Sequence, residues 1–167
     1  MAETETIPAE PGTTPVPEGH VRLFHYAPTA ALPSIREHGL SIEHAKGETY
    51  GEPNQIWAAA GMPDHGDFYT HNYVEFHANP EKDLDIGQYW GQGGTAAEHV
   101  KWLEGRRAHV TLRQNVPREN IIGIHEPWHA HLRYLKENYT KENADQLSDD
   151  YHDEDLNRAV RTFKAGL

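Results

Sequence analysis

The chain contains no cysteine, which excludes disulfides, thiolate metal sites and a cysteine nucleophile and leaves the redox compartment open. Long apolar runs are also missing. No stretch approaches the roughly 20 residues that span a bilayer, and the first residues have neither the basic region nor the apolar core of a signal peptide, so a cytoplasmic protein is expected by default. Basic residues are scarce, 15 Lys and Arg against 26 Asp and Glu, for a formal net charge of −11. The imbalance is uneven: residues 1–18 hold four acids and no base, 141–155 seven acids and one base, and 156–167 three bases. That leaves residues 19–140 with fifteen acids against eleven bases, without the basic face that phosphate-backbone binding demands. A duplex-binding protein is disfavoured, although a small local patch is compatible with these numbers. The 167 residues suit one domain with an adequate core.

What is present centres on residues 21–40, VRLFHYAPTAALPSIREHGL. Val21, Leu23, Phe24 and Tyr26 are a short β-prone run with His25 near its end, and Pro28 stops it because it has no N–H to give a ladder. A helix is expected next, capped by Thr29, with Pro33 in its first turn and Gly39 as its left-handed terminator. His25 then lies where a sheet meets a helix N-terminus, a place that offers free N–H groups to an anionic ligand.

On either side the chain is simpler. Residues 1–20 hold four prolines and few large apolar side chains, and read as a disordered tail, with a Pro-rich partner ligand as the alternative. A loop over residues 41–53 leads to a short strand over 55–60, whose small Ala58 to Ala60 would let a flat ligand or another backbone approach. Residues 71–78 alternate, with Tyr73, Glu75 and His77 on one face and Val74, Phe76 and Ala78 on the other. Residues 86–94, IGQYWGQGG, form a Gly-rich loop that is either a lid or a plain linker, before a helix over 95–103. Residues 106–125 read as two strands joined by an Asn-Val-Pro-Arg turn. A helix opening at Pro127, an acidic linker over 141–155 and an amphipathic C-terminal helix complete a single domain over residues 21–167. Short strands with helices between some of them, and no regular βαβ alternation, predict an α+β fold of two small, mostly antiparallel sheets flanked by helices.

The strand-to-helix segment around His25, the run NYVEFHANPEKDL and the pair AHV…VPRENI together resemble ADP-ribosyltransferase-like proteins, most closely the DarT-type DNA ADP-ribosyltransferases. The resemblance implies a split β-sandwich and NAD as a substrate. It implies an NAD site at His25, Tyr26 and Ala27, lined by Trp57 and Tyr73, and transfer or hydrolysis of ADP-ribose, with a nucleic acid or a protein as acceptor. It also implies a catalytic acid at the position held here by His109, which is the largest departure from the family. His25, Tyr73 and His109 are expected to converge on one cleft. Departure of nicotinamide develops positive charge on the ribose, which a carboxylate stabilises and an imidazole does not. Glu75, or else Glu104, is therefore the candidate to supply that charge beside His109. A non-catalytic NAD- or nucleotide-binding module is the alternative.

A third reading comes from His125-Glu126-Pro127-Trp128-His129, which matches the H-E-x-x-H pattern of zinc hydrolases. That site needs both histidines one turn apart on one helix, and Pro127 in its interior would cost about 3 kcal/mol. The spacing instead predicts His125 on a strand, a helix starting at Pro127 and no metal ligands in this pair.

Overall fold

The computed structural model describes residues 7–42, 56–85, 95–106 and 108–166 of the chain. Six strands make one sheet: β1 (Val21–Tyr26), β2 (Ile56–Ala59), β3 (Tyr73–Ala78), β4 (Leu84–Asp85), β5 (His109–Leu112) and β6 (Ile121–His125). Their order is β4-β5-β2-β1-β3-β6 and every pairing is antiparallel. Five helices accompany them: α1 (Leu32–His38), α2 (Pro80–Asp83), α3 (Ala96–Glu104), α4 (Pro127–Asn138) and α5 (Glu154–Lys164). The fold is α+β, and among the described residues its strands form one antiparallel sheet rather than the expected pair of small sheets. Sequence pattern yields the strands but not their neighbours. β5 and β6, consecutive along the chain, lie on opposite sides of β2, β1 and β3 because residues 113–120 carry the chain across, pinned by the Leu40–Val116 bridge.

Local chemistry sets the element ends. Asn79 and Thr95 accept backbone N–H groups at the starts of α2 and α3, and Asp153 does so for α5. Gly39 ends α1 at φ 82°, and a Cβ there would meet the Val116 carbonyl at 2.2 Å, so glycine is required twice over. α4 begins at Pro127, as the proline predicts. Among the described residues no helix is long and apolar enough to cross a membrane.

Strand alternation divides the sheet into two faces. One carries Leu23, Ala58, Val74, Phe76, Val110 and Leu112, closed by Leu32 and Ile35 of α1 and Val100 and Leu103 of α3. Full burial of side chains this size stabilises by about 1.5–3 kcal/mol each. The other carries Phe24 against Phe68 and Ala130, and beyond it α4 packs on α5 through Trp128, Leu132, Leu135, Val160 and Phe163.

Residues 7–20 depart from the expectation of a disordered tail over 1–20, of which 1–6 lie outside the described residues. Ile7 packs on the α4–α5 cluster, the Pro8 carbonyl accepts from Arg133 at 2.8 Å, and the Thr14 carbonyl accepts from Arg22. Polar anchors replace the apolar bulk that the segment lacks, and its prolines have less backbone freedom to lose. The Gly-rich loop over 86–94 and most of the loop over 41–53 also fall outside the described residues.

Candidate functional site

The register places each candidate residue. Phe24 faces Ala59, Ala59 faces His109, and Phe24 faces Glu75, so His109 and Glu75 share a face at opposite ends of one row across four strands. Three strand spacings of about 4.8 Å put their backbones about 14 Å apart. They cannot serve one reacting carbon. Tyr26 pairs with Tyr73 on that same face, their rings 6.3 Å apart, and Trp57 joins it two residues from Ala59. His25 pairs with Val74, which puts it and Ala27 on the opposite face, with Leu23. The expected convergence of His25, Tyr73 and His109 on one cleft is thus corrected: two of the three share a face, and adjacent residues of a strand point to opposite sides.

Glu75 is the most constrained of the candidates. It is 1% exposed, its Oε1 accepts from His125 Nε2 at 2.8 Å, and its Oε2 accepts from the Arg22 guanidinium and from the Gly12 backbone N–H at 3.1 Å. Burial pushes its carboxyl upward, but the hydrogen bonds from His125, Arg22 and Gly12 outweigh this and hold it below the usual carboxylate range. Both oxygens are committed, so Glu75 acts as an internal anion and is out of a ligand's reach. The alternation of residues 73–78 marked its face correctly; that this polar face is covered depends on residues 12, 22 and 125, which no local pattern connects.

His25 is held differently. Its Nδ1 lies 2.7 Å from the Trp57 carbonyl, which can only accept, so Nδ1 carries the proton and Nε2 of the neutral ring is an acceptor. Burial pushes the imidazole below its ordinary value despite that bond, which keeps the ring neutral at pH 7. Among the described residues β1 and β2 share a single register pair, Phe24 with Ala59. Past it, the His25 ring and not a backbone amide meets β2. The ring is half-buried, and Tyr26, next in sequence but on the other face, is exposed.

On the Glu75 face an open cleft of about 260 Å³ is lined by Gly12, Arg22, Phe24, Ala60, Met62 and Glu104. Burial raises the Glu104 carboxyl, against the pull of Lys101 and Arg22. Exposed His109 lies beyond Ala59 on the same side.

The H-E-x-x-H histidines have separate tasks. His125 ends β6 and faces Glu75, while His129 sits in α4 with Nδ1 accepting from the Glu126 N–H at 3.0 Å, and burial lowers its imidazole to about 3. Among the described residues no group of three or more His, Asp or Glu is placed to hold a metal ion. Comparison with protein-family models, with curated proteins and with solved structures finds no match to this chain.

Proposed function

We propose that this chain is an NAD-binding module of the ADP-ribosyltransferase-like kind, and that it holds the dinucleotide without transferring its ADP-ribose. The observation that carries the reading is His25: a neutral imidazole, its tautomer fixed by the Trp57 carbonyl, offering Nε2 as an acceptor where β1 and β2 part. A ribose hydroxyl is the matching donor for that nitrogen. Loss of transfer follows from the carboxylates. Glu75 is bound on both oxygens, His109 lies about 14 Å away along the row, and neither shares the face of His25.

ADP-ribosyl transfer or NAD hydrolysis, a glycosyltransferase-type reaction on a nucleic acid or protein acceptor, is the second reading, and Glu104 favours it. Its raised carboxyl faces the cleft beside Arg22, on the side of His109. Calorimetry with NAD and a nicotinamide-release assay separate the two. Binding without release, weakened by His25→Ala and unchanged by His109→Ala, is the expected result. Release that is lost in Glu104→Gln would establish the transferase, and no binding at millimolar NAD would end both readings.

A further inference from the structure

A second cavity lies away from His25, between α4, α5 and the chain that joins them. Its volume is about 340 Å³, at the lower end of the range of about 300–1,000 Å³ typical of small-molecule sites. Four tyrosines line it: Tyr69, Tyr134, Tyr139 and Tyr151, with His131 beside them and Leu135 among its apolar walls. Tyr134 and Tyr151 are 50% and 43% exposed, two large aromatic rings turned to solvent at one opening. The Tyr69 and His131 rings meet edge to face at 5.0 Å, so the wall is built by side-chain packing.

The charge around this cavity has one dominant sign. The stretch 141–155, with seven acids against one base, contributes Leu147 and Tyr151 to its lining. Asp153 Oδ2 lies 3.9 Å from His131 Nε2, which has no hydrogen-bond partner. Glu137 and Arg133 of α4 act on Tyr69 in opposite senses, and Arg133 also donates to the Pro8 carbonyl at 2.8 Å. Two of the three basic residues of α5 are engaged elsewhere: Arg161 pairs with Glu154 at 2.7 Å, and Arg158 lies 4.1 Å over the Trp128 ring. The α4–α5 pair thus already seats one cation on an aromatic face.

We propose that this tyrosine-lined cavity binds a small molecule carrying a trimethylammonium group. Several aromatic rings around one point attract a weakly hydrated cation through their negative faces, and a quaternary nitrogen has no N–H that would demand acceptors from apolar walls. The acidic composition of the stretch 141–155 adds long-range attraction and disfavours phosphates and carboxylates. A nucleotide is therefore the wrong ligand here, and the cavity is independent of the site at His25.

The test is a titration of the full chain with tetramethylammonium and choline, followed by tyrosine fluorescence and calorimetry, beside 3,3-dimethylbutanol, the uncharged carbon counterpart of choline. Saturable binding of both cations, with the alcohol bound at least about tenfold more weakly, is expected. Tyr134→Ala and Tyr151→Ala, at exposed positions that leave the melting temperature unchanged, should each weaken choline by roughly tenfold, whereas Tyr134→Phe should stay within about twofold. Equal binding of the alcohol and choline would make the cavity merely apolar and overturn the proposal. So would the absence of saturation at tens of millimolar cation.

Discussion

The two faces of the sheet are built by the same alternation and reach burial by opposite means. On the Leu23 face, aliphatic and aromatic side chains of four strands meet α1 and α3, and among the described residues no Asp, Glu, Lys or Arg is buried there. On the other face, Glu75 is equally inaccessible but is surrounded by Arg22, His125 and the Gly12 N–H. Burial depth therefore says nothing about how a position is stabilised. The apolar face tolerates any filling of similar volume, whereas the ionic face requires particular partners in particular places.

That contrast breaks most sharply at Glu75. Glu75→Gln keeps the volume but leaves Arg22 and His125 facing a neutral amide, and should cost about 3 kcal/mol in urea denaturation, within the range for breaking a buried pair. It should also free residues 7–14, seen as new protease cleavage there. A loss below about 1 kcal/mol would mean that water already reaches the pair. Leu23→Ala on the apolar face should cost about 2–5 kcal/mol and fall nearest to 2 if α1 settles into the space, with no change in the protease pattern at the N-terminal segment.

Acid should separate the faces further. His129 has its folded value lowered to about 3, against an ordinary 6.5, so the unfolded chain binds the extra proton between these values. Stability is full above about pH 6.5 and should fall by about 1.4 kcal/mol per pH unit as the pH drops toward 3. Glu75, lowered in the fold, adds loss of the same sign below the unfolded carboxylate value. His129→Gln should flatten the slope between pH 6 and about pH 4.5, where carboxylates contribute little; an unchanged slope would assign it to other groups. The smallest effect belongs to the cap of α5: Asp153→Ala removes the acceptor for the Asp155 and Leu156 N–H groups and should cost about 1 kcal/mol without touching either face of the sheet.

Much of the local structure was legible in the sequence. Pro127 fixed the start of α4 and thereby parted His125 from His129, and the 71–78 alternation sorted Tyr73 and Glu75 from Val74 and Phe76. The lateral order of strands was not legible, because β5 and β6 follow one another in sequence and lie four positions apart in the sheet. His25 shows the consequence. Its place near a strand end was readable, but that it lies on the face opposite to Tyr73 and His109 depends on long-range register. The tyrosine-lined cavity was equally hidden, since Tyr69, Tyr134 and Tyr151 come from three separate segments and match no motif.

The anchoring of residues 7–14 also constrains the order of events at the ribosome. The Gly12 N–H finds its acceptor 63 residues later in the chain, and the Pro8 carbonyl finds its donor 125 residues later. The first described segment to leave the exit tunnel is therefore fully seated only once Arg133 has been synthesised, although Arg22 and Glu75 can hold part of it earlier. Pausing of translation between residues 75 and 125 would leave Glu75 with only part of its cradle, exposed to chaperones or proteases for as long as the pause lasts.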